Sequence, residues 1–179
     1  DMTGDINVGN KGDGNSNFDR NTTVEIKADV LNLKGNIKVD NNKRTESDAK
    51  GNNISAVNLT VNKTANITGT IIASRTDGTS TVTLGGDGDA TASSGKYEVT
   101  GDGSSIVFKD SGSWVINKWE GTDGNLTASD SVKVDVNGEV TTTSTTLNGT
   151  STLTLNDGAK ISSKTLEGSG GTFLINTAD

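Results

Sequence analysis

The sequence predicts an all-β protein, and among all-β architectures it favours a right-handed parallel β-helix, a solenoid of stacked coils. Three observations support this prediction. Apolar residues, mostly Val, Ile and Leu, alternate with polar ones in short runs bounded by Gly, Asn and Asp, which is typical of strands and turns. Strand-turn segments recur about every 20–26 residues. Only 29% of the residues are hydrophobic, which suits a core one coil wide.

The predicted elements follow one another as short strands with one long interruption. Residues 1–20 are rich in Gly, Asn and Asp and are predicted to form a polar edge or loop segment. Alternation starts with Val24 and Ile26, and residues 21–179 are predicted to form the β-helix. A polar stretch near residues 40–53 predicts a long surface excursion. No helical period occurs, and β-branched Thr, Val and Ile favour strands.

An internal repeat supports the solenoid. Four segments each combine a short strand, a turn with a glycine and a second apolar position. The turn glycines of these four segments are Gly86, Gly112, Gly138 and Gly158. Stacked coils would place ladders of Val, Ile and Leu inside and polar side chains outside. Many short strands with regular turns also suit a β-sandwich, which remains the alternative fold.

Composition excludes several classes of function. The 179 residues include no His and no Cys, so a Ser-His-Asp triad, a thiol nucleophile and the usual zinc sites are excluded. The net charge of −7 and dispersed Lys residues argue against nucleic-acid binding. No apolar run approaches the roughly 18–20 residues of a membrane span, so no membrane insertion is expected. Acidic residues lie mainly in turns, so we expect no catalytic residue, no metal and no cofactor.

Two stretches carry a resemblance to a known family. The segments NISAVNLTVNKTANITGT and TSTLTLNDGAKISS combine dense Asn-x-Ser/Thr sequons with the absence of cysteine. In this respect the chain resembles an interior fragment of the two-partner-secreted high-molecular-weight adhesins of Haemophilus type, which are related to filamentous haemagglutinin. The resemblance covers most of residues 21–179 and rests on composition and repeat style. Passengers of classical autotransporters look similar.

The resemblance implies a function and a location. It implies a secreted, surface-displayed bacterial adhesin that attaches to host epithelial cells by binding cell-surface glycans or glycoproteins. It also implies an outer-membrane transporter as the partner during secretion. A structural β-helix stalk of an autotransporter passenger is the alternative, followed by a polysaccharide-active β-helix enzyme.

Seven asparagines stand in sequons, and the resemblance implies that they are candidates for glycosylation. An acceptor asparagine has to be exposed on a turn or an outward face. Asparagine also caps turns and stacks in ladders along β-structures, which is the simpler explanation of the same residues. The sequon asparagines are Asn21, Asn53, Asn58, Asn62, Asn66, Asn125 and Asn148.

Three aromatic residues are candidates for glycan binding, since flat aromatic faces stack on sugars. They are Trp119, Trp114 and Tyr97. Trp119 lies between Lys118 and Glu120, so we expect it to be exposed. Trp114 precedes Val115 and Ile116, which favours partial inward packing. Packing in the core is the competing interpretation for all three side chains.

Overall fold

The computed structural model describes residues 1–10, 21–41, 53–75 and 78–176, and its regular structure there consists of strands. Short alternating runs form strands because successive side chains point to opposite faces, so one set is buried and the other is solvated. The strands are β1 (Met2–Thr3), β2 (Ile6–Asn10), β3 (Asn21–Lys34), β4 (Ile37–Asn41), β5 (Ile54–Ile67), β6 (Thr70–Arg75), β7 (Thr79–Gly85), β8 (Lys96–Thr100), β9 (Ser104–Phe108), β10 (Ser113–Ile116), β11 (Lys118–Glu120), β12 (Asn125–Ala128), β13 (Lys133–Val136), β14 (Glu139–Asn148), β15 (Thr152–Leu155), β16 (Lys160–Ser169) and β17 (Thr172–Ile175).

The strands stack into three faces, and every pairing between two of these strands is parallel. Four long strands, β3, β5, β14 and β16, turn a corner and serve two faces each. Face A contains residues 21–28, residues 54–61, β7, β9, β12, residues 144–148 and residues 165–169. Face B contains β1, residues 30–34, residues 64–67, β10, β13, β15 and β17. Face C contains β2, β4, β6, β8, β11, residues 139–142 and residues 160–163.

The chain visits faces A, B and C in turn and then starts the next coil. A column on face A shows the repeat, because its members are register partners from one coil to the next: Val57, Val82, Ile106, Leu126, Thr145 and Leu166. Their numbers give coils of 19 to 25 residues. This arrangement is of the parallel β-helix type, as predicted. The β-sandwich alternative is not adopted, because sandwiches pair their strands antiparallel. A right-handed sense of the coils stays a prediction.

The core is a set of inward columns one coil wide. On face A, Val57, Val82, Ile106 and Leu126 are all fully buried. On face B, Trp114, Val134 and Leu153 follow one another in register, and each is buried. Each coil adds only a few apolar side chains to these columns. A chain with 29% hydrophobic residues can therefore fill this core.

The structure describes part of the predicted segment 1–20 and part of the predicted excursion near residues 40–53. Within the segment predicted as a polar edge or loop, residues 2–3 and 6–10 form the edge strands β1 and β2, which pair with β3 and β4. Val8 is buried in the core, because a single inward apolar residue is enough for so narrow a column. Residues 11–20 lie outside the described residues. Of the predicted excursion near 40–53, residues 40 and 41 belong to β4 and residues 42–52 lie outside the described residues.

The repeat glycines belong to two different corners, which corrects the alignment of the repeat. Gly86 and Gly112 lie between faces A and B, whereas Gly138 and Gly158 lie between faces B and C. The repeat therefore matched face A strands of two coils with face B strands of two later coils. Both kinds of segment contain two inward apolar residues and a turn, so their sequences look alike although their places in the coil differ.

The A–B corner, where each face A strand gives way to face B, is held by backbone conformation. The strands β3 and β5 run through this corner without such a residue, but in each of the five later coils one residue has a positive φ there. These residues are Gly86, Asp110, Asp130, Gly149 and Gly170. Adjacent coils are also linked, since the Asp110 carboxylate accepts a hydrogen bond from the Gly86 N–H at 2.7 Å. The Asp130 carboxylate accepts one from the Asp110 N–H at 3.2 Å.

The B–C corner, where each face B strand gives way to face C, carries a ladder of side chains, and positive φ occurs there only at Gly4, Gly95 and Gly158 among the described residues. Asn137 donates its amide N–H to Asn117 Oδ1 at 2.7 Å, and Asn156 donates to Asn137 Oδ1 at 2.7 Å. Asn176 continues this asparagine ladder by donating to Asn156 Oδ1 at 3.2 Å. Near the first coil, Asn36 donates to Asp5 at the same corner. Amide stacking of this kind adds a hydrogen bond for each coil.

Candidate functional site

Face A presents an uncharged and mostly polar surface over five successive coils. Residues 54–61, β7, β9, β12 and residues 144–148 contain no Lys, Arg, Asp or Glu. The inward residues of these strands are buried, and the outward ones form two parallel rows. Within each row, successive residues lie about 4.8 Å apart, which is the spacing of adjacent strands. The members of these rows, read from register pairs, are Ala56, Asn58, Thr81, Thr83, Ser105, Val107, Asn125, Thr127, Ser144 and Thr146.

Face C, by contrast, carries charge. Lys38 and Asp40 of β4 form an ion pair at 3.2 Å, and Lys118 pairs with Glu120 in β11. Opposite charges two residues apart lie on the same side of a strand, which allows these pairs to form. Face C therefore carries charge at the same level of the stack where the five coils of face A carry none.

The three aromatic candidates are buried instead of exposed. Trp119 has 8% of its surface exposed, and Trp114 and Tyr97 have 2% each. The prediction of an exposed Trp119 is wrong, because Trp119 stands in register with Tyr97 and both point inward on face C. Buried rings cannot stack on a sugar, so the proposed glycan-binding role of these three residues is contradicted in this conformation. Their competing interpretation, packing in the core, is the observed one.

These rings form an aromatic cluster in the middle of the core. Tyr97 meets Phe108 edge to face with ring centroids 5.6 Å apart, and Trp119 lies 6.0 Å from Tyr97. Phe108 also lies 6.0 Å from Trp114. The Tyr97 hydroxyl donates to the Val115 carbonyl oxygen at 3.2 Å, and burial raises the pKa of this phenol well above its ordinary value. Ring contacts at these distances stabilise the core beyond the burial of area alone.

The sequon asparagines occupy three kinds of place. Asn21, Asn62 and Asn66 are exposed, and Asn58, Asn125 and Asn148 are half-buried on strands. Asn53 is only 4% exposed, and its carbonyl accepts a bond from the Thr79 N–H. Asn53 is therefore contradicted as an acceptor in the folded chain, because a glycan has no room beside a buried side chain. The other six stay candidates.

Several sequon side chains already bond to neighbouring coils. Asn58 donates to the Glu25 carboxylate at 2.5 Å, and Asn62 donates to the Asp29 carboxylate at 3.2 Å. Hydrogen bonds from Lys63 and Asn62 and the positive charge of Lys63 lower the pKa of Asp29. These bonds are the structural use of asparagine that competes with glycosylation.

The acidic turns do not assemble a metal site in the described part of the chain. Asp89 accepts hydrogen bonds from the Thr91 hydroxyl at 2.6 Å and the Thr91 N–H at 2.9 Å, and these bonds lower the pKa of Asp89. Asp87 accepts a bond from the Ser111 hydroxyl at 2.6 Å. Among the described residues, no three His, Cys, Asp or Glu side chains lie close enough together to hold a metal ion. The turn carboxylates serve turns and neighbouring coils.

A cleft that the sequence did not predict lies at the C–A corner, where each coil ends and the next begins. It is an open cleft of about 630 Å³ between the loop that carries Thr122 and Asp123 and the strands β14 and β16. The other residues that line it are Thr141, Thr142, Ile161, Ser162, Ser163 and Lys164. No single motif marks these residues, because they come from three coils.

Comparisons with known proteins identify no relative. No protein-family model, no curated protein and no solved structure matches this chain. In the described part of the chain, the search for a helix of the length and hydrophobicity needed to cross a bilayer finds none.

Proposed function

We propose that this chain is part of a secreted bacterial adhesin that attaches the cell to host-cell glycans or glycoproteins. One observation carries the proposal, namely the uncharged polar rows of face A. Hydroxyl and amide groups repeated at the coil spacing offer many similar hydrogen bonds to a polyhydroxylated surface. Each contact is weak, and display of many copies multiplies their effect.

The remaining parts of the proposal rest on the resemblance of the sequence to the high-molecular-weight adhesins. We propose display on the bacterial surface after export by an outer-membrane transporter, glycosylation of exposed sequons, and no catalytic activity. A chain without cysteine cannot form disulfides before it crosses the outer membrane, which suits such export.

Binding of the 179-residue chain to epithelial cells tests the proposal. We expect fluorescently labelled chain to bind untreated cells and to lose most of this binding after enzymatic removal of surface sugars. Thr127→Lys, which places a charge on face A, should weaken binding. The matched control Thr154→Lys lies on face B in β15 and should bind like the parent chain.

The two alternatives give different results in the same experiment. A structural stalk would bind neither treated nor untreated cells. A polysaccharide-active enzyme would release reducing ends from a panel of acidic polysaccharides, whereas we expect no release.

Intact-mass measurement of the protein from its native host tests glycosylation. We expect added hexose-sized masses, with exposed Asn62 and Asn66 among the modified sites and Asn53 unmodified. A mass equal to that of the bare chain would contradict this part of the proposal and leave cell binding unaffected.

A further inference from the structure

The C–A corner changes its construction along the molecule. In three coils a residue with positive φ, Gly78, Gly101 or Gly121, turns the chain between face C and face A. In the next two coils no such turn exists, because β14 and β16 each run through the corner as one continuous strand. The last glycine turn leads into the loop of Thr122 and Asp123, which projects beside the continuous strands. The cleft lies where the last glycine turn is followed by the first continuous strand.

The floor of the cleft is held in place by hydroxyl hydrogen bonds. Thr142 is buried, and its hydroxyl lies 2.8 Å from Thr145 Oγ1 and donates to Ser163 Oγ at 3.0 Å. Ser163 in turn donates to the Thr165 carbonyl oxygen at 2.6 Å. Since its proton is committed, the Ser163 oxygen has a fixed direction. A floor ordered in this way before a ligand arrives lowers the entropy cost of binding.

Two further hydroxyls line the cleft without internal partners. The hydroxyl groups of Thr141 and Ser162 make no hydrogen bond to any other residue that the structure describes. Both residues lie on the outward side of face C, and Thr141 and Ser162 are register partners, so their hydroxyls stand side by side on adjacent coils. Two neighbouring hydroxyls without internal partners can donate to and accept from the hydroxyl edge of a sugar ring.

The charge of the cleft is balanced. Lys164 Nζ lies 4.0 Å from Asp123 Oδ1 across the opening, with both side chains largely exposed. The carboxylate can accept from sugar hydroxyls and the ammonium can donate to them, while their charges offset each other. A volume of about 630 Å³ falls in the range of small-ligand sites.

We propose that this cleft binds a neutral saccharide unit, with Asp123, Lys164, Thr141 and Ser162 as hydrogen-bonding groups. This inference rests on the proposed adhesin function and names the place where a glycan is held most specifically. Face A adjoins the cleft through residues 144–148 and 165–169, so a longer glycan chain can continue onto it. A sialylated or sulfated unit would find no uncompensated positive charge here.

The test uses the 179-residue chain on an array of neutral, sialylated and sulfated glycans, followed by titration of the strongest glycan that binds. Ser162→Tyr fills the cleft, and Thr152→Tyr introduces the same side chain on face B as the matched control. We expect binding to neutral glycans, a loss of about tenfold or more for Ser162→Tyr, and a change of less than about twofold for Thr152→Tyr. Circular dichroism and thermal unfolding establish that both variants fold.

The outcomes separate the cleft from the function. If the parent chain binds no glycan on the array, both the adhesin proposal and the proposal of a saccharide site in the cleft are refuted. If the parent chain binds and folded Ser162→Tyr binds equally well, the cleft is refuted while the adhesin proposal stands. If acidic glycans bind best and Lys164→Gln abolishes that preference, the cleft takes an anionic ligand and the neutral class is wrong.

Discussion

The A–B and B–C corners keep the same coils in register by different physical means. The A–B corner uses one residue per coil with positive φ, from Gly86 to Gly170. The B–C corner uses a ladder of asparagine side chains, Asn117, Asn137, Asn156 and Asn176, and there a positive φ is found in some of the described coils instead of in successive ones. A backbone corner tolerates few residue types, whereas a side-chain corner depends on hydrogen bonds that solvent can replace. The A–B corner should therefore be the more sensitive to substitution.

The largest effect is expected from Gly86→Ala. A Cβ at this position would lie 2.1 Å from the Val61 carbonyl oxygen, in addition to the cost of positive φ. We expect a loss of about 3–5 kcal/mol in the free energy of unfolding, measured with urea. Gly158→Ala at the B–C corner is the matched control, since its φ is also positive but a Cβ there meets no atom within 4 Å. The control should lose about 1–2 kcal/mol. Equal losses would show that the close approach of the Val61 carbonyl adds nothing to the cost of positive φ.

A middle-sized effect is expected from Asn137→Ala at the B–C corner. This change removes two ladder bonds, one donated to Asn117 and one accepted from Asn156. We expect a loss of about 1–3 kcal/mol in the free energy of unfolding. Asn176→Ala removes a single, longer bond at the end of the ladder and should lose at most about half as much. A loss for Asn176→Ala that matches that of Asn137→Ala would show that the ladder does not act through its bonds.

A smaller effect is expected at Asp130, which has a positive φ without being glycine. Asp130→Gly relieves about 1 kcal/mol of strain and loses the bond from the Asp110 N–H, so the two terms nearly cancel. Asp130→Ala keeps the strain and loses the same bond, so it should be less stable than Asp130→Gly by about 1 kcal/mol. Thermal unfolding ranks the two variants. The reverse order would show that conformation does not govern the A–B corner.

The smallest effect concerns acid stability at Asp89, just beyond the A–B corner. Hydrogen bonds from Thr91 lower the pKa of Asp89 in the folded chain. A lowered pKa stabilises the fold above about pH 4, and this contribution disappears as the pH falls through the folded pKa. Thr91→Val removes the hydrogen bond from the hydroxyl, so this variant should be slightly less stable at pH 7. Its free energy of unfolding should also fall less than that of the parent chain between pH 7 and pH 3. Urea unfolding at both pH values measures this decrease in the free energy of unfolding. An equal decrease in the variant and the parent chain would contradict the contribution of the Thr91 hydroxyl.

Sequence reasoning reached the fold because alternation and low hydrophobicity are local properties of the chain. It missed the asparagine ladder, although Asn117, Asn137, Asn156 and Asn176 recur at intervals of 19 or 20 residues. That interval is a usable signal, whereas the turn glycines come from two different corners and obscure it. Trp119 was misplaced for a different reason, since flanking charges suggest exposure, yet alternate residues of a strand point to opposite faces.

The sequence by itself determined that the chain forms short strands around a narrow core, because alternation, β-branching and turn residues act between neighbours in the chain. Only the tertiary structure decided which strands share a face, since face A and face B segments carry the same pattern. It alone decided that the aromatic rings meet in the core and that the cleft forms at the C–A corner. Stacking brings together residues about one coil apart in the sequence. No local pattern indicates at which coil the C–A corner changes from a glycine turn to a continuous strand.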